Sequence, residues 1–372
     1  MLSARLNEDD GCQFAEEAVT GRVLSTRSYA DLNLRRRSFM RNPVSNTAKF
    51  RAENNFRANF AAINAVKIYD MEYEYDDAPE NHFSIKNLYG EFDTQEQLDA
   101  EYNVETAVAN FSTYIKGYVS GSEKARKRLT DRVVVSYGHT NMEKLTVYPG
   151  KEADSPVLLF IHGGYWRMGI GDDFDFTAIG PYDAGFTVVI VTYGLAPKVN
   201  IPEMVRQVKS AIAWTAKNIS HYNGDPERIF VSGHSAGAHL AAMTINTNWD
   251  DYSLPRNTVK GILAISGLYD LEPVSQTFIQ PAVRITAEQI LTASPLRLMH
   301  KNDLPLIVAW GDSETNAFKK QSSSYLHSWK HTGNTGHALI VPRADHFSIL
   351  QEFETPNGLL TKAVQLLLKN TL

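Results

Sequence analysis

The chain has 372 residues, 43% of them hydrophobic and 21% charged, with a formal net charge of -5; this suits a globular protein with a sizeable core and gives no global reason to expect a nucleic-acid partner. Its one cysteine, Cys12, excludes an intrachain disulfide framework and any multi-cysteine metal site. No run approaches the ~20 apolar residues of a membrane span, and the opening segment lacks the apolar centre of a secretory signal, so a cytoplasmic location without a membrane partner is expected.

Residues 1–97 read as an N-terminal extension, an arm or an oligomerisation or lid segment. Its first part is basic, with Arg35, Arg36, Arg37, Arg41, Lys49 and Arg51; its next part is acidic, with Asp70, Glu72, Glu74, Asp76 and Asp77. Residues 69–76 alternate apolar and acidic side chains, as in a strand with one buried face. Such a strand needs a partner, either the main sheet or a second subunit, and a homodimer through the extension is the expectation it raises.

Residues 98–372 read as one catalytic domain. A helical pattern over 98–129 is followed by an antiparallel strand pair at 132–137 and 143–148. Continuous apolar runs at 156–161 and 187–192 predict strands buried on both faces, and Val205, Val208, Ile212, Thr215 and Ile219 recur at helical spacing. Further strands are predicted at 229–232, 261–266, 304–310 and 337–341, with helices between them and a last helix over 359–368. Strands alternating with helices imply an α/β fold: a mainly parallel central sheet with helices on both faces, binding its ligand beyond the carboxyl ends of the strands.

At the end of the 229–232 strand stands Gly233-His234-Ser235-Ala236-Gly237. The G-x-S-x-G spacing suits a tight strand-to-helix turn that lifts a serine hydroxyl above the sheet, with the Ala236 N–H and the helix N-terminus beside it. If Ser235 is a nucleophile, an acid and a histidine should follow it at later strand ends. His346 lies just past the last strand, where an imidazole can take and return the serine proton. Asp312 and Glu314 compete to orient it; in hydrolases of this build the acid stands three residues after the strand-ending glycine, here Gly311, which favours Glu314 and leaves Asp312 as the alternative. Asp345 reads as a loop hydrogen bonder.

His162-Gly163-Gly164-Tyr165-Trp166 follows a buried strand and lacks side chains at two consecutive positions. Backbone N–H groups of Gly163, Gly164 and Tyr165, joined by Ala236, would form an oxyanion hole worth about 3 kcal/mol per donor. Tyr165, Trp166 and His234 are the candidate substrate contacts, suited to a flat aromatic group. Asp172, Asp173 and Asp175 read as helix-capping residues rather than an ammonium site. No phosphate-binding loop or spaced metal-ligand set is present, so neither metal nor cofactor is expected.

Taken together, the 162–166 turn, the 233–237 elbow, Ser266-Gly-Leu-Tyr-Asp-Leu-Glu-Pro273, Gly311-x-x-Glu314 and Asp345-His346 resemble the kynurenine formamidase (arylformamidase) group of α/β-hydrolases over residues 90–372. The resemblance implies a Ser235, Glu314 and His346 triad, an oxyanion hole at 162–166 and hydrolysis of an N-formyl arylamine such as N-formylkynurenine. The extension is not part of that pattern. The expected protein is a cofactor-independent serine hydrolase acting on a small aromatic acyl amide or ester. A carboxylesterase or carbamate-type hydrolase with another aromatic substrate is the alternative, and a noncatalytic binding protein on the same fold is the alternative of another class.

Overall fold

The computed structural model describes residues 89–370. The basic and acidic parts of the extension and the alternating 69–76 stretch lie outside the described residues. Eight strands form one sheet: β1 Val133–Ser136, β2 Lys144–Tyr148, β3 Ser155–Ile161, β4 Thr187–Thr192, β5 Gly224–His234, β6 Val259–Ile265, β7 Leu306–Gly311 and β8 Gly336–Val341. Their spatial order is β1-β2-β4-β3-β5-β6-β7-β8. The β1/β2 and β2/β4 pairings are antiparallel and all others are parallel. The runs Val-Leu-Leu-Phe-Ile of β3, Val-Val-Ile-Val of β4 and Ile-Leu-Ala-Ile of β6 are buried throughout, because helices cover both faces of the parallel part. This is the α/β-hydrolase fold.

The principal helices are α1 Gln95–Tyr102, α2 Phe111–Arg128, α3 Ile201–Asn218, α4 Ala236–Met243, α5 Asn316–His331 and α6 Leu359–Lys369. Helix α3 starts where its composition says it should: the Asn200 side chain accepts from Glu203 N and Pro202 occupies the first turn. The stretch 98–129, expected to be helical throughout, is two helices. Asn103 interrupts it, its backbone and side-chain oxygens both accepting from the Thr106 N–H and so competing with the helix ladder. The first helix also begins at Gln95, just ahead of residue 98, with Leu98 fully buried. The elbow strand is longer than its predicted 229–232 core.

Strands β3, β5, β6, β7 and β8 are parallel neighbours, so the turns that follow them open at one end of the sheet. Topology alone therefore gathers the segments beginning at His162, Ser235, Ser266, Asp312 and Pro342. Helices α1 and α2 cap this end. Glu101 accepts from Ala317 N at the start of α5 (2.9 Å), and Tyr118 Oη donates to Phe347 O (2.7 Å).

Candidate active site

Ser235 joins β5 to α4 at φ 56° and ψ -120°, a conformation that a side-chain-bearing residue adopts only when its surroundings impose it. The imposition is visible. Its N–H donates to Ile265 O (2.8 Å), while its carbonyl accepts from the N–H groups of Ala238 and His239. The flanking glycines permit the close approach: a Cβ on Gly233 would lie 2.2 Å from Gly237 O, and one on Gly237 only 2.0 Å from Ile161 O. The elbow is wedged against the end of β3.

Glu314 and His346 come together at the neighbouring strand ends. His346 Nδ1 lies 2.9 Å from Glu314 Oε2. The other carboxylate oxygen, Oε1, accepts from Ser266 Oγ (2.6 Å) and from the Gly311 N–H (2.7 Å). With Nδ1–H donating to the carboxylate, Nε2 keeps its lone pair for a proton. Phe318 and Phe347 enclose the imidazole edge-on, with ring centroids 4.5 and 5.4 Å away. Asp312 is turned elsewhere: its carboxylate accepts from the Arg343 N–H (2.6 Å) and from Ser313 Oγ. Asp345 accepts from the N–H groups of Phe347 and Ser348 and from Tyr114 Oη, which organises the loop carrying His346.

The 162–166 turn packs directly on the elbow; a Cβ on Gly163 would lie 3.0 Å from Ser235 Cβ. The backbone N–H groups of Gly164, Tyr165 and Ala236 donate to no acceptor among the described residues. A cluster of unpaired donors beside a serine is what a developing oxyanion requires. The turn is closed by the Arg167 and Met168 N–H groups on Gly164 O, both at 3.0 Å.

All three candidate substrate contacts are buried. Trp166 has no exposed surface, its indole N–H points at His239 Nδ1 (3.3 Å), and successive positive φ values at Gly164, Tyr165 and Trp166 direct it under the turn. It supports the site instead of lining it. Tyr165 is 4% exposed and its phenol donates to Tyr102 O in α1. His234 lies beside His346, its Nε2 at 2.8 Å from His346 O. Burial, then the neighbouring His346, pushes its pKa well below the ordinary histidine value. Burial likewise pushes His162 and His239 down to about 4. These three stay neutral at physiological pH.

Ser266 was not singled out as a site residue by sequence. It is fully buried, sits at φ 51°, and is, among the described residues, the one side-chain hydroxyl on Glu314. The available signal was its place, immediately after β6 and beside the strand that carries the acid. The aspartates at 172–175 divide their roles: Asp173 accepts from Ile170 N as a cap, whereas Asp175 is a buried ion-pair partner of Arg126 (2.9 Å) and Arg132 (3.6 Å). Burial pushes the Asp175 carboxyl up to about 6. Among the described residues, no group of three or more His, Cys, Asp or Glu could hold a metal ion, and no helix is long and apolar enough to cross a membrane.

Comparison with known proteins agrees with this architecture. The family model described as BD-FAE matches residues 144–329, a span that includes Ser235 and Glu314 and stops short of His346. A kynurenine formamidase of Danio rerio is 35% identical over 258 residues, covering 67% of this chain and 86% of its own length. One of Salmo salar is 34% identical over 265 residues, covering 69% and 87%. Among solved structures, a hyperthermophilic esterase from the archaeon Pyrobaculum calidifontis superposes with a TM-score of 0.59 at 18% identity, over 74% of this chain and 96% of its own, which is a likeness of fold.

Proposed function

Because the chain belongs to the kynurenine formamidase family of α/β-hydrolases, we propose that it cleaves the formyl C–N bond of an N-formyl arylamine of the N-formylkynurenine type. The chain is a hydrolase of the formamidase and esterase kind; the substrate and the roles below are the proposal. Ser235 Oγ attacks the formyl carbon as His346 Nε2 takes its proton, and the N–H groups of Gly164, Tyr165 and Ala236, with Gly163 at the turn's start, receive the oxyanion. The C–N bond then breaks as His346 returns the proton to the departing arylamine. Water, deprotonated by His346, attacks the formyl-enzyme and releases formate, restoring Ser235. Glu314 holds the imidazole in the required tautomer throughout.

The observation that carries this reading is the His346 to Glu314 pair at 2.9 Å beside a strained serine with unpaired N–H donors around it. The same chemistry serves a small aryl ester, so a carboxylesterase or carbamate-type hydrolase is the second reading. A noncatalytic binding protein would have no use for an intact pair of this kind.

The test is turnover of N-formylkynurenine beside p-nitrophenyl acetate, with Ser235→Ala as control. Formamide cleavage that falls by about 10⁴-fold or more in the variant is the expected result. Ester cleavage alone, lost in the variant, would keep the mechanism and discard the formamide. Activity that survives in Ser235→Ala would overturn both. The division into an extension over 1–97 and a catalytic part over 98–372, a homodimer through that extension, the lack of a nucleic-acid partner and a cytoplasmic location belong to the same proposal. The dimer is checked by the solution mass of the full chain against one cut ahead of Tyr89; equal, monomeric masses would remove it.

A further inference from the structure

A cavity of about 190 Å³ lies away from Ser235, Glu314 and His346, between α3, the end of α4 with the segment that follows it, α5 and the 292–299 loop. None of Ser235, Glu314 and His346 lines it. The C-terminal residues of α4, Ala242 and Met243, line it, while the elbow lies at the other end of that helix, roughly 10 Å away along the axis at 1.5 Å per residue. Its walls are mostly apolar, with Met243, Ile245, Leu298, Met299 and the Trp329 ring, and among the described residues Lys209 is the one charged residue that lines it.

The polar groups around the cavity are largely spoken for. The Trp329 indole N–H donates to Thr335 O (2.8 Å), and Asn246 Nδ2 donates to Leu298 O (2.8 Å). Lys209 differs from them. Its ammonium has no hydrogen-bond or ion-pair partner among the described residues; burial pushes its pKa down, and the Asp251 charge opposes this without reversing it. An ammonium partly withdrawn from water with nothing to pair with is destabilised, and an anion beside it would relieve that cost. Among the described residues, the wall carries no carboxylate that would favour a cation instead.

We propose that this cavity is a binding site for a single-ring aryl carboxylate, with Lys209 as partner of the carboxylate and the methionine and tryptophan side chains packed on the ring. Size supports the ring: an apolar cavity of about 150 Å³ accepts benzene, so the space here holds a benzene ring with its carboxylate directed at Lys209. Chemistry supports it as well, since thioethers and an indole make favourable contacts with aromatic faces and edges. Apolar walls with a small number of polar groups are the usual composition of a small-molecule site. The inference is independent of which substrate the catalytic residues take.

Benzoate is the probe. The full chain, carrying ¹³C-methyl methionine, is titrated with benzoate and separately with uncharged benzamide. The Met243 and Met299 methyl signals should shift saturably with benzoate, with a dissociation constant at or below about 1 mM, and about tenfold more weakly with benzamide. Lys209→Met should lose benzoate affinity by about tenfold or more while retaining the hydrolytic rate, and Lys209→Arg should keep most of it. Thr292→Trp, at an exposed position on the rim, should block entry without touching the core. Methyl signals that stay fixed at saturating benzoate, or equal affinity in wild type and Lys209→Met, would overturn the proposal.

Discussion

Two regions meet at His346 and hold it by different means. On the sheet side, the ends of adjacent parallel strands supply the contacts, and nearly all of them involve backbone or fully buried groups: Ile265 O on Ser235, Gly311 N and Ser266 Oγ on Glu314, and Glu314 on the imidazole. On the helical side, α2 reaches the same loop with side-chain tips. Tyr114 Oη donates to Asp345 (2.5 Å), Tyr118 Oη donates to Phe347 O, and the Phe111 and Tyr114 rings pack on Phe347. Only Tyr118, Ser122 and Ala125 of that helix are buried. The rigid side sets charge and tautomer, and the helical side sets where the loop rests. Substitutions on the first should change chemistry, and those on the second position and stability.

The comparison is tested most strongly at Glu314. Glu314→Gln keeps the shape and removes the charge and the tautomer control, so kcat/KM should fall by about 10³–10⁴-fold, with the thermal midpoint little changed. Asp312→Asn serves as the counterpart. If it costs more activity than Glu314→Gln, the acid has been misassigned. Asp175 probes the place where the comparison is weakest, because there the helical side does use a buried charge, between Arg126 and Arg132. A carboxyl raised to about 6 by burial binds its proton more tightly folded than unfolded. Its contribution to stability is therefore complete below the unfolded value and is lost as pH rises through about 6. Relative to Asp175→Asn, the wild type should lose stability between pH 4 and 6, by at most about 3 kcal/mol at 1.36 kcal/mol per pKa unit. Denaturant midpoints of the two proteins across that range check it. Parallel curves would remove the raised carboxyl.

Ser266→Ala comes next. Glu314 Oε1 would keep the Gly311 N–H and lose one hydroxyl, a bond to a carboxylate that contributes about 1.5–3 kcal/mol. If roughly half of that reaches the transition state, kcat falls about tenfold. An unchanged kcat with a lower thermal midpoint would mean that the hydroxyl serves the fold alone.

What could be read from the sequence follows the same division. The tight turn at Ser235 was legible because the elbow is local: two glycines at fixed offsets answer two close approaches, to Gly237 O and Ile161 O. The approach of the loops carrying His346 and Glu314 was legible because strand order converts into position at the carboxyl end of a parallel sheet, whereas the preference for Glu314 over Asp312 rested on spacing from Gly311. Ser266 was not legible, since its bond to Glu314 spans 48 residues and depends on the β6/β7 register and on a left-handed φ that a serine does not advertise. The burial of Trp166 was not legible for a related reason: three successive positive φ values turn it beneath the loop, and side-chain direction in such a turn has no periodicity to read. The latch from α2 joins residues 231 positions apart and leaves no local trace.

That latch supplies the smallest and most discriminating test. Burial by itself would raise the Asp345 carboxyl, but the Ser348 N–H, the Tyr114 hydroxyl and the Phe347 N–H together hold it below the usual carboxylate range. A depressed carboxyl stabilises the folded protein above the unfolded pKa, and that stabilisation is lost as pH falls through the folded value. Tyr114→Phe removes one donor while keeping the ring on Phe347, so part of this acid sensitivity should disappear together with about 1 kcal/mol of stability at neutral pH. Because the backbone donors to Asp345 remain, the loop keeps its shape, and kcat should fall by no more than about threefold, or ~0.7 kcal/mol. A loss of tenfold or more would mean that the helical side sets the geometry of the imidazole as firmly as the strand ends do, and the contrast between the two regions would not hold.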